Sequence, residues 1–148
     1  MPDIAFSEEL SAADSVRILD VLRAICGPAH VITAPEEVAA ASLDSRRRRQ
    51  GDALALVRPG STEEVSRILA LASRERLPVV AQGGNTSTVG GATPDPESPA
   101  NARTVVLQLS RMNRIESIDA VNGTMTVGAG VVLARAQEAA REAGRLLP

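Results

Sequence analysis

The chain has 148 residues, of which 44% are hydrophobic and 23% charged, and its formal net charge is −2. This composition predicts one soluble domain, and the lack of a long apolar run or a signal peptide favours a cytoplasmic protein with no integral membrane segment. All 16 basic residues are arginine, which excludes a P-loop lysine and a Schiff base. The single aromatic residue, Phe6, and the negative charge argue against a nucleic-acid partner.

The first third of the chain, residues 1–45, is predicted to form a helical arm. Apolar residues at three- and four-residue spacings predict an amphipathic helix from Ser11 to Cys26, and a second short helix is expected from Glu36 to Ala41. Its predicted apolar stripe consists of Val16, Leu19, Leu22 and Cys26. As the only cysteine, Cys26 is interpreted as a small buried hydrophobe rather than a redox group, and no metal site is predicted. The run Arg46 to Arg49 is interpreted as a solvated connector.

A strand, a helix and a second strand follow. Residues 53–57, ALALV, predict a buried strand; Ser61 and Glu64 have capping-box spacing for a helix ending near Arg76; and residues 78–81 predict a second buried strand. The predicted apolar face of this helix consists of Val65, Ile68, Leu69 and Ala72. Two strands joined by a helix are expected to be parallel, with ligands bound at their carboxyl ends.

The rest of the chain returns to strands after an exposed loop that contains Pro94, Pro96 and Pro99. A buried strand is predicted over residues 104–109. Strands at residues 114–118 and 124–127 flank Asn122-Gly123, a strong hairpin signal, and a last helix is expected from about Val132 to Ala143. The predicted fold class is therefore α+β, a small βαβ parallel sheet plus a hairpin.

A glycine-rich loop, QGGNTSTVGGA, occupies residues 82–92 at the carboxyl end of the second predicted strand. Four glycines, Gly83, Gly84, Gly90 and Gly91, frame polar residues whose hydroxyl groups and backbone amides can bind phosphate oxygens. The spacing differs from that of the Rossmann fingerprint, and no helix follows directly. The loop is either a nucleotide or cofactor site or a surface loop without a ligand, and its position at a strand end favours the former.

The segment from Leu54 to Ala92, LALVRPGSTEEVSRILALASRERLPVVAQGGNTSTVGGA, resembles the first FAD-binding lobe of the vanillyl-alcohol oxidase and p-cresol methylhydroxylase superfamily. QGGNT followed by VGGA is most similar to its D-2-hydroxyglutarate and D-lactate dehydrogenase branch. The resemblance continues through Val106 to Leu133. It implies that residues 46–148 form the first lobe of a PCMH-type FAD-binding domain. The second lobe and the substrate domain would follow Pro148, so the chain would be an N-terminal fragment.

The resemblance also implies which residues contact the cofactor. Gln82, Gly83, Gly84, Asn85 and Thr86 would line the FAD pyrophosphate, and Gly90 and Gly91 would complete the turn. Further flavin contacts would come from Pro59 on the adenine side, Ser110, and the turn from Gly128 to Gly130. Ser87, also in the loop, stands where the family usually has glycine, so a positive φ there would be strained. With no histidine in the loop, FAD binding is expected to be non-covalent.

The predicted function is that of an FAD-binding segment of a flavin-dependent oxidoreductase acting on D-2-hydroxy acids. A 2-hydroxy-acid substrate would bind only to the complete enzyme, and no residue of this chain is predicted to be catalytic. The alternatives are a non-catalytic α/β nucleotide-binding module and one half of a split flavoenzyme. As a fragment without its second lobe, the chain would have an uncovered lobe face that exposes apolar surface and favours self-association.

Overall fold

Helix α1 spans Ala12–Cys26 in the computed structural model, which describes residues 10–148. It begins as the sequence predicts, because the Ser11 hydroxyl accepts a hydrogen bond from the Asp14 backbone N–H at 3.0 Å. Its buried face consists of Ile18, Leu22 and Cys26. The predicted stripe is wrong at Val16, which is 58% exposed, since α1 is apolar around most of its circumference and packing selects the face centred on Ile18.

A four-stranded sheet forms the centre of the molecule. Its strands are β1, Val31–Ile32; β2, Ala55–Val57; β3, Val79–Gln82; and β4, Val105–Gln108. The order is β1-β2-β4-β3, with β1 antiparallel and the other three parallel. The predicted parallel direction of β2 and β3 is confirmed, although β4 lies between them. The prediction of a buried second strand is wrong, because β3 lies at the sheet edge and is only half-buried over Val79–Val80.

Helices cover the two faces of the sheet. Helix α3, Thr62–Glu75, packs with α1 on the face formed by Ala55, Val57, Val105 and Leu107, whereas α2, Pro35–Ala41, packs on the face of Leu56 and Val106. The buried residues of α3 are Ile68, Leu71 and Ala72, so the predicted face is wrong at Leu69, which is 46% exposed. Burial raises the pKa of Cys26 to about 11, consistent with a packing role for this thiol.

The elements of the predicted arm and those of the predicted lobe pack around the same sheet. Helix α1, β1 and α2 all contribute to the core around the central sheet. A short 3₁₀ helix, Pro28–His30, connects α1 to β1. The division at residues 45 and 46 stays a prediction about domains; within the described residues, the two segments share one sheet.

The proline-containing loop between β3 and β4 is only partly exposed. Pro94 is fully buried and its carbonyl lies against Gly51, whereas Pro96 and Pro99 are exposed as predicted. A 3₁₀ helix, Asn101–Arg103, then leads into β4. The prediction of an exposed loop is therefore wrong at Pro94, because the chain folds back over the start of β2.

The predicted hairpin is confirmed as β5, Ile115–Asp119, and β6, Thr124–Val127. Asp119 closes its turn by accepting hydrogen bonds from the backbone N–H groups of Val121 and Asn122, both at 2.9 Å. Helix α4, Leu133–Glu142, follows and buries only Ala136 and Ala140. Among the described residues, no helix is both long enough and apolar enough to span a membrane.

Candidate functional site

The three parallel strands, β2, β3 and β4, end at the same edge of the sheet, here called the carboxyl edge, and polar residues cluster there. Gln82 and Gln108 are paired in register at the ends of β3 and β4. Arg58, directly after β2, donates from Nε to Oε1 of Gln108 at 2.7 Å, and the Ser110 hydroxyl donates to the same oxygen at 3.3 Å. The carboxyl edge therefore brings together the segments that carry three separate predicted contacts: Pro59, the glycine loop and Ser110.

Gln82 is buried, with 1% of its surface exposed, and its side chain holds the start of the loop. Its amide nitrogen donates to the carbonyls of Ala41 and Ala92, both at 2.8 Å. One side chain thus joins the end of α2 to the far end of the glycine-rich segment. Its contact with a pyrophosphate stays a prediction, and this bridging role was missed from the sequence.

The glycine loop, residues 83–91, is mostly exposed to solvent. Neither Gly83 nor Gly84 has a left-handed φ. A Cβ added to Gly83 would meet no atom within 4 Å, and a Cβ added to Gly84 would meet only Cγ2 of Thr86, at 3.9 Å. Within residues 10–148, no backbone N–H from Gly83 to Thr88 donates a hydrogen bond to the protein. The chain's own conformation and packing do not require glycine here, whereas close approach of an anion to free N–H groups does.

Two polar residues of the loop differ in backbone conformation. Asn85 has φ 52°, in the left-handed region, and its side-chain amide donates to the Leu43 carbonyl at 2.9 Å. Its Oδ1 is buried without a hydrogen-bond partner. Ser87 does not have a positive φ, so the serine that replaces the family's glycine is not strained. The unusual backbone therefore lies at Asn85, which tolerates it better than most residues.

The end of the glycine loop packs against a second loop. Gly90 has φ +73°, a conformation that suits glycine, and a Cβ there would lie 3.3 Å from Cδ of Arg49. Gly91 is exposed and would meet only Ser87 Oγ, at 3.9 Å. The positive φ explains why glycine stands at position 90, whereas the predicted role of Gly90 in a cofactor-binding turn stays a prediction.

The second loop is the arginine turn, residues 44–49, which was predicted to be a solvated connector. The four arginines are exposed, but the turn is ordered by the buried Asp44 carboxylate. This carboxylate accepts the backbone N–H groups of Arg46, Arg48 and Arg49 at 3.2, 2.5 and 2.7 Å. These bonds, that from Arg49 foremost, hold the pKa of Asp44 below its ordinary value of 3.8. The sequence signal was an aspartate at the start of a turn.

The remaining predicted contacts lie beside β4. The turn from Gly128 to Gly130 packs on residues 109–114, where the N–H of Gly130 donates to the Met112 carbonyl at 2.9 Å. A Cβ on Gly130 would lie 1.8 Å from the Leu109 carbonyl oxygen and 3.1 Å from Cα of Ser110. These glycines are required by packing, and they place the turn directly against Ser110.

A cavity of about 340 Å³ opens beside the glycine loop between α2 and the carboxyl edge. Its polar lining consists of Glu37, Arg58, Gln82, Asn85 and Gln108. Arg58 and Gln108 were not predicted from the sequence, although each is a polar residue at the end of an apolar strand, as Gln82 is. Arg58 and Glu37 are the two charged residues of this lining, one of each sign, so the cavity is suited to a hydrogen-bonding group.

The site fits a phosphate-bearing cofactor better than a metal ion. Among the described residues, no group of three His, Cys, Asp or Glu side chains is placed to bind a metal. The N–H groups of Gly83 and Gly84 have no protein acceptor, and the space that a Cβ would occupy at either residue is open, which suits a pyrophosphate.

This architecture, a mixed sheet with a glycine-rich loop at its carboxyl edge followed by a hairpin, is that of a PCMH-type FAD-binding domain. The family model described as FAD binding domain matches residues 53–148, and the chain belongs to this family. The α+β fold is also that of the 4-ethylphenol oxidase from Gulosibacter chungangensis, with a TM-score of 0.75 and 25% sequence identity. That similarity covers 93% of this chain and 26% of the oxidase.

Among characterised sequences, the chain is similar to D-2-hydroxyglutarate dehydrogenases. It is 35% identical over 126 residues to the probable mitochondrial D-2-hydroxyglutarate dehydrogenase of Oryza sativa subsp. indica, covering 85% of this chain and 22% of that protein. It is 36% identical over 121 residues to the mitochondrial D-2-hydroxyglutarate dehydrogenase of Bos taurus, covering 82% and 21%. The chain thus spans about a fifth of the length of these relatives.

Proposed function

We propose that this chain is the FAD-binding segment of a flavin-dependent dehydrogenase that oxidises D-2-hydroxy acids. The observation that carries the proposal is the pair Gly83 and Gly84, where the backbone N–H groups have no protein acceptor and neither conformation nor packing requires glycine. Similarity to D-2-hydroxyglutarate dehydrogenases supports the substrate class. When bound, FAD would accept hydride equivalents from the substrate α-carbon.

Each part of the carboxyl edge has a place in this proposal. The N–H groups of Gly83, Gly84 and Thr86 bind the pyrophosphate, and Pro59 contacts the adenine side. Ser110 and the turn from Gly128 to Gly130 supply the further flavin contacts. They act as one surface, because that turn packs directly on Ser110. The chain provides cofactor binding alone, since no acid or base within it is assigned to catalysis.

We propose that FAD is held without a covalent bond. The glycine loop contains no histidine or cysteine. His30 lies on the 3₁₀ helix before β1, and Cys26, the last residue of α1, is buried in the hydrophobic core. Denaturing the loaded protein should therefore release all flavin into solution, and flavin that stays with the precipitated chain would contradict this.

The test of the cofactor site is a calorimetric titration of the chain with FAD, repeated on Gly84→Asp and on Val121→Asp. The first variant places a carboxylate among the N–H groups proposed to bind pyrophosphate. The second places the same charge on the hairpin turn, where Val121 is 93% exposed. We expect saturable binding by the wild type and Val121→Asp, and at least a tenfold loss in Gly84→Asp. Equal binding by all three would reject the loop as the site.

The substrate class needs its own test, in an assembly that supplies the remaining length of the relatives. D-2-hydroxyglutarate or D-lactate should bleach the absorbance of FAD bound to that assembly, whereas the L enantiomers should not. Bleaching by neither D acid would reject the substrate class while leaving the FAD-binding proposal in place. FAD binding by the chain alone, with no flavin reduction in any assembly, would favour a non-catalytic nucleotide-binding module.

A further inference from the structure

The arginine turn and the glycine loop are separated by about forty residues in sequence, yet they meet along most of their length. The Ser45 hydroxyl donates to the Ser87 carbonyl at 3.0 Å, and the Asn85 side-chain amide donates to the Leu43 carbonyl at 2.9 Å. Arg49 lies against Gly90 and pairs with Asp95 at 2.8 Å, just beyond the glycine loop. The glycine loop thus takes its support from residues 43–49.

The supporting turn depends on a single carboxylate. Asp44 is 8% exposed and accepts three backbone N–H groups of the turn, and its own N–H donates to the Arg49 carbonyl at 3.0 Å. Arg47 has φ 56°, a left-handed conformation that is unfavourable for a residue with a long side chain. Without the carboxylate, three N–H groups lose their partner and four adjacent cationic side chains lose the nearest buried negative charge. The turn would then keep only backbone hydrogen bonds, among them those from the N–H of Asp44 to the Arg49 carbonyl and from the N–H of Arg47 to the Asp44 carbonyl, and would be less ordered.

The support matters most at Asn85. This residue has a left-handed backbone and a buried Oδ1 without a partner, two features that cost free energy. Of its polar side-chain groups, only the amide nitrogen is hydrogen-bonded, to the carbonyl of Leu43 directly before the turn. A geometry that is unfavourable locally persists only where surrounding structure imposes it.

We propose that Asp44 is a positioning residue for cofactor binding: it folds the arginine turn, which holds Asn85 and Ser87 so that the N–H groups of the glycine loop converge on a pyrophosphate. The inference rests on the proposed function, because it assigns a purpose to the loop geometry. Asp44 itself does not contact the cofactor. A loop ordered before binding does not have to be ordered by the ligand, which increases affinity.

The test compares Asp44→Ala and Asp44→Asn with Asp119→Ala in the full chain. Asp119 is a matched control, because it also accepts two backbone N–H groups in a turn but lies in the hairpin. We expect Asp44→Ala to weaken FAD binding about tenfold, Asp44→Asn to recover part of the affinity by keeping one acceptor oxygen, and Asp119→Ala to bind like the wild type. Asp44→Ala binding like the wild type would overturn the inference.

A second readout needs no FAD. In NMR relaxation measurements on the cofactor-free chain, Asp44→Ala should lower the backbone order parameters from Asn85 to Gly90 and leave those of β4 unchanged. Unchanged order parameters in the glycine loop would overturn the inference about Asp44, whether or not the wild type binds FAD. Failure of the wild type to bind FAD would count against the proposed function instead. If Asp44→Ala did not fold, the exposed Ser45→Ala substitution, which removes the bond to Ser87, would replace it. Its loop order and affinity must then both fall.

Discussion

Two pairs of glycines at the candidate site differ in their surroundings: one pair is packed tightly against backbone, and the other has open space around it. Gly128 and Gly130 lie so close to the backbone of residues 109–112 that a Cβ on either would approach a carbonyl oxygen to 2.2 or 1.8 Å. Gly83 and Gly84 face open space, with at most one contact at 3.9 Å. The first pair is explained by the protein alone. The second pair is not explained by contacts within the described residues, so glycine content indicates a ligand site only where internal packing does not already require glycine.

The largest expected effect is that of Gly130→Ala. The added methyl group overlaps the Leu109 carbonyl, and the strand end before Ser110 must shift. Such overpacking should cost about 3 kcal/mol of unfolding free energy, a large fraction of the stability of a domain this size. Urea denaturation followed by circular dichroism measures the loss. A variant as stable as the wild type would show that the turn is held less tightly than the structure has it.

Gly83→Ala should have the opposite pattern. Its φ lies outside the left-handed region and the new methyl group meets nothing, so the unfolding free energy should rise by about 0.5 kcal/mol as the unfolded chain loses freedom. FAD affinity should nevertheless fall about tenfold, because the methyl group occupies space next to the N–H groups. Denaturation and FAD titration of the same preparation separate the two quantities. Loss of stability without loss of affinity would place Gly83 in the same class as Gly130.

Local signals in the sequence predicted most of the elements and the position of the loop, because caps, apolar runs and glycines act over a few residues. They predicted the inward-facing residues of the helices only in part. Helices α1 and α3 each carry more apolar residues than one face needs, and the sheet selects Ile18 over Val16 and Leu71 over Leu69. The position of β4 was likewise missed, although a strand that is apolar on both faces, as Val105 and Val106 are, favours the centre of a sheet.

The support of the glycine loop could not be derived from the sequence, because it depends on contacts across about forty residues. Four consecutive arginines indicate a solvated segment when read alone. Only the fold brings Ser45 to Ser87 and Leu43 to Asn85. The family resemblance indicated the loop that is proposed to contact the cofactor, whereas the residues behind that loop belong to a segment with no recognisable motif.

The smallest expected effect is a difference in how the conformations of the glycine loop and of the turn from Gly128 to Gly130 respond to acid. Because the folded-state pKa of Asp44 lies below 3.8, its carboxylate stabilises the arginine turn fully above pH 3.8, and this stabilisation is lost as pH falls through the lowered value. The NMR amide shifts of Asn85 and Ser87 should therefore move with a midpoint below 3.8 on acidification from about pH 6. Asp95, which pairs with Arg49, faces the same turn, so the measurement is repeated in Asp95→Asn. The Gly130 amide donates to a backbone carbonyl and should not follow this midpoint; if it does, the acid response reflects general unfolding, and the glycine loop has no separate dependence on Asp44.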